Sequence, residues 1–225
     1  MKDLPAGSGF GLFGCAHQNS VYRKGRETVR KEAATISSMT PLLQTPRLVL
    51  RPLELADAGQ VQSLFANWEI VKNLNSRVPW PYPSDGAHTF YWDVVLPAVT
   101  RGEQWHWTIR LKTDPDRIIG AIGLTRNETD NRGFWIGLPW QGQGLVTEAA
   151  DAVTEFWFNT LKFPVLRVSK AVANVASQRV SEKQGMRLVN VVERDFVSGR
   201  LPSQIWEITA AEWNARLGSF EYRKR

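Results

Sequence analysis

The chain has 225 residues, of which 43% are hydrophobic, and its formal net charge is +6. This length and apolar content are enough for one ordinary domain with a sizeable core, and no stretch approaches the roughly 20 apolar residues that a transmembrane helix requires. Because Cys15 is the only cysteine, an intrachain disulfide is excluded and a reducing compartment, the cytoplasm, is indicated.

Residues 1–40 differ in character from the rest of the chain. They hold six Lys or Arg against three acidic residues, so half of the net charge lies there and does not indicate a nucleic-acid-binding surface on the remainder. Four glycines precede a polar stretch without hydrophobic periodicity, which predicts a mobile extension followed by a domain at 41–225. Because Met39 precedes the well-patterned stretch from Thr45 to Leu53, it is a candidate for the start of translation. A lipoprotein signal at Leu12–Cys15 is a competing interpretation, disfavoured by Asp3 and by the short, glycine-broken apolar stretch.

The apolar pattern predicts an alternation of strands and helices from residue 47 onward. In chain order, the first elements are a strand at Arg47–Leu53, a helix capped by Asp57 and continuing to Phe65, a helical piece from Trp68 to Leu74, a stiff loop at Pro79–Pro83 and a helix from Ser84 toward Pro97. Strands at Trp105–Leu111, Ile118–Leu124 and Gly133–Leu138 then predict an antiparallel meander.

A glycine-rich turn follows the meander, at Gln141–Val146, and is called the glycine turn below. It leads into a helix whose apolar residues repeat at helical spacing, at Ala149, Val153, Phe156, Trp157 and Leu161. Such a turn can aim several backbone N–H groups and the helix dipole at one anion, such as a phosphate group. The remaining predicted elements are a strand at Val165–Val172, a helix at Ala176–Gln184 closed by Gly185, and strands at Leu188–Val197 and Gln204–Thr209.

The residues of the glycine turn resemble the motif of a known family. Gln141-Gly142-Gln143-Gly144-Leu145-Val146 is similar to the Gln/Arg-x-x-Gly-x-Gly/Ala signature with which the GNAT superfamily of N-acetyltransferases holds the pyrophosphate of acetyl-coenzyme A. Together with Trp140 and Thr147-Glu148-Ala149, it resembles the Trp-Gly-x-Gly-Tyr-Ala-Thr-Glu-Ala phrase of the Rim-type (RimJ/RimL-like, ribosomal-protein-alanine acetyltransferase) branch. Members of that branch acetylate protein N-termini and small amines. Val146 departs from the family, which usually has Gly or Ala there.

The resemblance spans about Thr45 to Thr209 and implies a fold. The expected class is α/β with α+β character, namely the GNAT fold, in which helices flank a central, mostly antiparallel mixed sheet of about seven strands. The resemblance also implies acetyl-coenzyme A as co-substrate and an amine-bearing acceptor, either a protein N-terminus or a small molecule. Neither a nucleic acid nor a membrane is implied as a partner, and a homodimer stays open.

A second motif adds candidate catalytic residues. Asn174-x-x-Ser177-x-x-Val180-x-Glu182-Lys183-x-Gly185-Met186 resembles the family phrase Asn-x-x-Ser-x-x-Val-x-Glu-Lys-x-Gly-Phe, with Met186 in place of the usual Phe. The resemblance implies that Ser177 protonates the departing thiolate, although a plain helix serine is the alternative, and Asn174 is by itself a good helix cap. Asp195 matches the place of an acid that takes the amine's proton, with a turn-initiating aspartate as the alternative. The implied cofactor-binding residues are Ile136, Gly137, Leu138, Gln141, Gly142, Gln143, Gly144, Leu145, Val146, Thr147 and Asn174, with backbone N–H groups around Ile136 to Leu138 meeting the oxyanion.

Other sequence features are compatible with further interpretations. The bulky Val146 and the lack of an unmistakable base allow a GNAT-fold protein that binds acyl-coenzyme A without turnover. A nucleic-acid scaffold would rest on the isoelectric point alone. Several aromatic residues are candidates for the acceptor cleft, although strand tryptophans are usually core: Trp80, Tyr82, Trp92, Trp105, Trp107 and Trp206. The three histidines, at 17, 88 and 106, show no metal-ligand spacing, so no metal site is predicted.

Overall fold

The computed structural model of the chain describes residues 40–222, and side chains as far as Arg216. The extension predicted at residues 1–40 therefore lies outside the described residues, except for Thr40. The strands are β1 (Leu43–Gln44), β2 (Leu48–Pro52), β3 (Gln104–Leu111), β4 (Gly120–Thr125), β5 (Arg132–Ile136), β6 (Val165–Ala171), β7 (Arg187–Phe196) and β8 (Gly199–Thr209).

Seven α-helices accompany the strands within the described range. They are α1 (Ala58–Phe65), α2 (Trp68–Val71), α3 (Gly86–Phe90), α4 (Leu96–Thr100), α5 (Leu145–Glu155), α6 (Val175–Lys183) and α7 (Ala210–Tyr222). Short 3₁₀ turns at Leu55–Asp57 and Leu138–Trp140 precede α1 and the glycine turn, and π-helical turns at Tyr91–Val95 and Phe156–Thr160 follow α3 and α5. None of these described helices is long and apolar enough to cross a membrane.

The first sheet has five strands in the order β1-β2-β3-β4-β5, and every pair is antiparallel. Alternation along β3 explains its placement, because Trp105, Trp107 and Ile109 point to one face and are at most 5% exposed. These three pack with α5 residues such as Val153 and with Phe156 in the larger core cluster. The strand at Arg47–Leu53 and the meander are thus confirmed.

The opposite face of the first sheet carries the smaller core cluster. Val61, Phe65, Val71 and Tyr91 from the helical segment between β2 and β3 pack there with Ile118. An ion pair lies on the same side, where Asp57 Oδ1 accepts a hydrogen bond from Arg110 Nη2 at 2.6 Å, with the two side chains 12% and 6% exposed. Each face of the sheet is therefore covered by helices, as predicted.

The second sheet has three strands in the order β6-β8-β7, again all antiparallel. It meets the first sheet at Asn131, whose backbone N–H donates to the Arg167 carbonyl oxygen at 2.7 Å, while Asn131 Oδ1 accepts from the Arg167 N–H at 2.8 Å. Beyond this point β5 and β6 form no ladder within the described residues, and Lys170 of β6 contacts the ring of Phe134 on β5 instead. The strands therefore separate as they run toward the glycine turn and α6.

The predicted fold class is confirmed, with eight described strands divided between two sheets instead of about seven in one. One boundary was wrong: β8 begins at Gly199, not Gln204, and pairs with β7 directly across the hairpin from Phe196. Pro202 lies inside this strand because β6 ends at Ala171, opposite Ser203, so the missing N–H of the proline is not needed by a neighbouring strand.

Candidate active site

The glycine turn connects the end of the first sheet to α5. Gly142 and Gly144 have φ values of +73° and +76°, the left-handed region that costs other residues roughly 1–2 kcal/mol. A Cβ atom at Gly142 would meet no heavy atom within 4 Å, and one at Gly144 would meet only Arg47 Nη2, at 3.6 Å. The backbone of the turn is therefore open to a ligand.

From Gly142 onward, the backbone amides of this turn have no acceptor in the described part of the chain. None of the six backbone N–H groups from Gly142 to Thr147 donates a hydrogen bond to a residue in the range 40–222. Gly144 occupies the N-cap position of α5 and supplies no side chain that could satisfy them. Unsatisfied donors at the positive end of a helix dipole form a binding site for phosphate oxygens.

The side chains of the turn hold its shape. Gln143 Nε2 donates to the Pro139 carbonyl at 2.9 Å, and Gln141 Nε2 donates to the Ile136 carbonyl at 3.2 Å. Leu145 is 3% exposed in the larger core cluster, and Val146 packs against the same cluster. The bulk of the Val146 side chain is thus accounted for by core packing.

The connection between β1 and β2 ties the glycine turn and the start of α5 to the sheet through contacts that the sequence did not reveal. Glu148 accepts hydrogen bonds from the Thr45 hydroxyl at 2.5 Å, the Arg47 backbone N–H at 2.8 Å and Arg47 Nε at 2.6 Å. Arg47 Nη1 also donates to the Gln143 carbonyl at 3.0 Å. Burial raises the pKa of Glu148, but these hydrogen bonds outweigh it and hold the pKa below its ordinary value. Glu148 is thus a structural carboxylate at a helix N-terminus, and Arg47 brings a half-exposed positive charge beside the turn.

The strand end proposed for the oxyanion is partly occupied. The Gly137 N–H donates to the Ile119 carbonyl at 2.8 Å and is not free to meet a ligand. The Leu138 N–H has no acceptor among residues 40–222 and lies at the exposed surface, with Leu138 43% exposed. Of these two amides, only that of Leu138 is therefore available as a donor.

The second motif places Ser177 at the start of α6, facing β6. Asn174 caps the helix, and its Oδ1 accepts from the Ser177 N–H at 3.1 Å, as its type predicted. The Ser177 Oγ accepts a hydrogen bond from Lys170 Nζ at 2.8 Å. No sequence motif pointed to Lys170, because the second motif covers only the helix.

Lys170 is buried, and a second basic side chain acts on its charge. Burial, and after it the Arg132 guanidinium, lower the pKa of Lys170, while Asp130 acts in the opposite direction, and the resulting pKa is about 7. Arg132 is itself buried, which lowers its pKa to about 10. Its Nη1 donates to Thr154 Oγ1 at 2.6 Å, while its Nε and Nη2 have no partner among the described residues. Two buried basic side chains, one on β5 and one on β6, therefore influence each other where the sheets separate.

Asp195 lies near the end of the β7–β8 hairpin, at the protein surface. Its side chain is 63% exposed, and Oδ1 is 3.7 Å from Arg200 Nη1. Its backbone carbonyl accepts from the Ser76 N–H at 3.1 Å, and the Val197 N–H donates to the Leu74 carbonyl at 3.0 Å. The hairpin end is thereby fastened to the segment after α2.

The aromatic candidates for the acceptor cleft divide into two groups. Trp105, Trp107 and Trp206 are at most 8% exposed and belong to the core. Trp80 and Trp92 are 43% and 55% exposed. Only the second pair, with the half-buried Tyr82 of the smaller cluster, remains available to an acceptor.

One histidine, His106, is partly buried in the first sheet. The His106 ring lies over Gly123, and its Nε2 is 2.8 Å from Gln104 Oε1. Burial lowers the pKa of His106 to about 4, so the ring is neutral at physiological pH. Over residues 40–222, no group of three or more histidine, cysteine or acidic side chains could hold a metal ion.

Comparisons with known proteins agree with this geometry. The acetyltransferase (GNAT) domain family matches residues 47–187. The chain is 25% identical over 174 residues to the probable N-acetyltransferase YjcK of Bacillus subtilis, covering 74% of this chain and 92% of that protein.

Solved structures share the fold at low identity. The ribosomal-protein-S5-alanine acetyltransferase of Vibrio fischeri superposes with a TM-score of 0.66 at 12% identity, over 77% of this chain and 98% of that one. RimL, a ribosomal L7/L12 α-N-protein acetyltransferase solved with coenzyme A, gives a TM-score of 0.62 at 16% identity, over 75% and 96% of the two chains.

Proposed function

Because the chain belongs to the acetyltransferase (GNAT) domain family, we propose that it transfers an acetyl group from acetyl-coenzyme A to a primary amine by direct attack. Acetyl transfer follows from the family, while the direct attack and the amine acceptor are the proposal. The observation that carries it is the row of six unpartnered amides from Gly142 to Thr147 at the N-terminus of α5.

The residues present fit a pyrophosphate. The amides of the glycine turn supply hydrogen-bond donors, the glycines leave the backbone uncovered, and Arg47 adds positive charge beside Gly144. Asn174 and Ser177 stand at the start of α6, near the separation of β5 and β6, where the pantetheine arm and thioester would lie. The thioester supplies an activated acetyl group, and the chain supplies its placement.

Three tasks fall to the protein in a direct attack on a thioester. The developing oxyanion needs a donor, which we assign to the Leu138 N–H. The departing thiolate needs a proton, which we assign to the Ser177 hydroxyl. The attacking amine must lose a proton, because amines of high pKa are mostly charged at pH 7, and we assign this to Asp195, directly or through water.

The acceptor class is a primary amine borne by a peptide N-terminus or by a small molecule. A peptide acceptor is favoured by the solved Rim-type enzymes of the same fold, whose printed names specify ribosomal proteins. The exposed Trp80 and Trp92 offer apolar contact to either. Since acetyl-coenzyme A is a cytoplasmic metabolite, the cytoplasm is the proposed location.

The experiment is thiol release from acetyl-coenzyme A in the presence of an amine panel that contains ribosomal-protein N-terminal peptides, polyamines, amino acids and aminoglycosides. Mass spectrometry then identifies the acetylated amine. We expect Gly144→Asp to abolish turnover, because it places a carboxylate at the amides that would hold phosphate. Asp195→Asn should reduce turnover without changing the affinity for acetyl-coenzyme A.

A protein that is stabilised by acetyl-coenzyme A but acetylates none of these amines would support the alternative of binding without turnover. A protein that shows no stabilisation at millimolar acetyl-coenzyme A would contradict both interpretations.

A further inference from the structure

A buried lysine stands behind the proposed proton donor. In β6, Lys170 occupies the same inward-facing row as Leu166 and Val168, and it is 5% exposed. Its Nζ lies 2.8 Å from Ser177 Oγ and 4.7 Å from the centroid of the Phe134 ring. A lysine in an apolar row, with its amine turned to a candidate catalytic hydroxyl, calls for a chemical explanation.

The charge of Lys170 is not neutralised by an ion pair. Among the side chains described, those of residues 40–216, no carboxylate oxygen lies within 4.0 Å of its Nζ. The Phe134 ring provides a cation–π contact, Arg132 on β5 repels the charge, and Asp130 attracts it from a distance. A buried ammonium ion without a carboxylate partner is unfavourable. The pKa of Lys170 is accordingly about 7, so this side chain titrates near neutral pH, where an ordinary lysine stays protonated.

The hydrogen-bond inventory fixes the direction of the Lys170–Ser177 contact. When Lys170 is protonated, its ammonium group has three donors and no acceptor, so Ser177 Oγ accepts. The hydroxyl hydrogen of Ser177 then has no acceptor in the described part of the chain and is free to point at a ligand. We propose that Lys170 orients Ser177 and supplies the proton that Ser177 passes to the departing thiolate, so that the two side chains act as one relay.

The relay balances and rests on the proposed function. When the bond between the acetyl carbon and sulfur breaks, sulfur keeps the electron pair and takes the hydroxyl hydrogen of Ser177. An ammonium hydrogen of Lys170 moves to Oγ, which restores the hydroxyl and leaves a neutral amine. A thiol pKa near 8.5 above that of Lys170 makes the transfer favourable. After coenzyme A leaves, water at the partly exposed Ser177 returns a proton to Lys170 by the same route.

The first test is a double-mutant cycle in single-turnover kinetics. Lys170→Met and Ser177→Ala should each lower the chemical step by roughly 10–100-fold, with acetyl-coenzyme A affinity changed by less than about threefold. The double variant should be no slower than the slower single variant, because residues that act as a unit are not additive. Ser181→Ala is the control, since this serine lies one turn further along α6 and its buried hydroxyl has no partner among the described residues; its rate should stay within about twofold of the wild type.

The second test is the pH profile, measured with the accepted amine of lowest pKa so that acceptor ionisation does not mask it. The wild-type chemical step should slow as pH rises above about 7, where Lys170 loses its proton. The rate of Lys170→Met should not show this decline above pH 7. Lys170→Arg keeps the donors but does not release a proton near neutral pH, so it should be as slow as Lys170→Met.

The third test needs no turnover. In protein labelled with ¹³C at the lysine ε-carbon, the Lys170 NMR signal should titrate near pH 7. In Ser177→Ala the midpoint should fall by about one pH unit or more, because the hydrogen bond that stabilises the ammonium form is lost.

Two sets of results would overturn the relay. The first is an active wild type in which the chemical step of Lys170→Met or Lys170→Arg stays within twofold of the wild-type rate. Additive effects of Lys170→Met and Ser177→Ala in the double variant would overturn the relay in the same way. The second is a Lys170 midpoint that Ser177→Ala does not move. A wild type that acetylates no amine would instead overturn the proposed function, and the relay with it.

Discussion

The amides of the glycine turn can be tested with two substitutions that carry the same backbone strain. Gly142→Ala and Gly185→Ala both place a Cβ at a left-handed position, with φ of +73° and +71°. The added Cβ meets nothing within 4 Å at Gly142 and only Arg216 Cδ, at 3.9 Å, at Gly185. Each variant should therefore lose about 1–2 kcal/mol from strain alone. For a domain of this size, that lowers Tm by roughly 2–4 °C per kcal/mol.

The two variants should differ when acetyl-coenzyme A is added. At a concentration 100 times its Kd, a ligand stabilises the folded state by about 2.7 kcal/mol, a rise of roughly 5–10 °C in Tm. Gly185 closes α6 at the end opposite Ser177, so Gly185→Ala should keep this rise in full. In Gly142→Ala the Cβ lies where phosphate oxygens would approach. A tenfold loss of affinity would leave about 1.4 kcal/mol at the same concentration.

The assay is thermal unfolding of both variants and the wild type across a series of acetyl-coenzyme A concentrations. Comparing the slopes of Tm against ligand concentration removes the strain that the variants share. An equal rise in Tm for Gly142→Ala and Gly185→Ala would refute the assignment of the phosphate site to the glycine turn.

Two further predictions concern stability. Asp57→Asn leaves the buried Arg110 cation without its carboxylate, so urea unfolding should show that the free energy of unfolding falls by about 3–5 kcal/mol. Glu69→Gln, at the exposed pair with Lys72, should lower it by less than about 1 kcal/mol. Equal losses in the two variants would contradict this reasoning. The pKa of His106 falls from 6.5 to about 4 on folding, because burial disfavours the charged ring. The folded state is therefore at its full stability above pH 6.5, and it loses stability as pH falls toward 4 and the unfolded state takes up the proton. Up to about 3 kcal/mol is involved, and unfolding at pH 7 and 4.5 should show a smaller difference for His106→Gln than for the wild type. Parallel changes in the two proteins would show that another group titrates.

Local patterns in the chain determined most of the fold and the segment proposed to bind the cofactor. The glycine turn, the helix after it and the Asn174 cap all depend on residues that are neighbours in sequence. Hydrophobic periodicity and glycine conformation act over a few residues and can therefore be seen without a structure. The same locality explains why the boundary of β8 was wrong, since Pro202 is tolerated only because another strand ends beside it.

The contacts that complete the site were decided by tertiary structure alone. Arg47 and Glu148 are 101 residues apart in the chain, and Lys170 and Ser177 belong to different elements that a turn folds onto one another. The tryptophans show the same limit, because Trp107 and Trp92 look alike in the sequence but are 0% and 55% exposed. Whether a polar or aromatic side chain faces water, a core or another charge depends on which surfaces pack together. That packing also sets the dielectric surroundings, and hence the proton affinity, of a buried lysine.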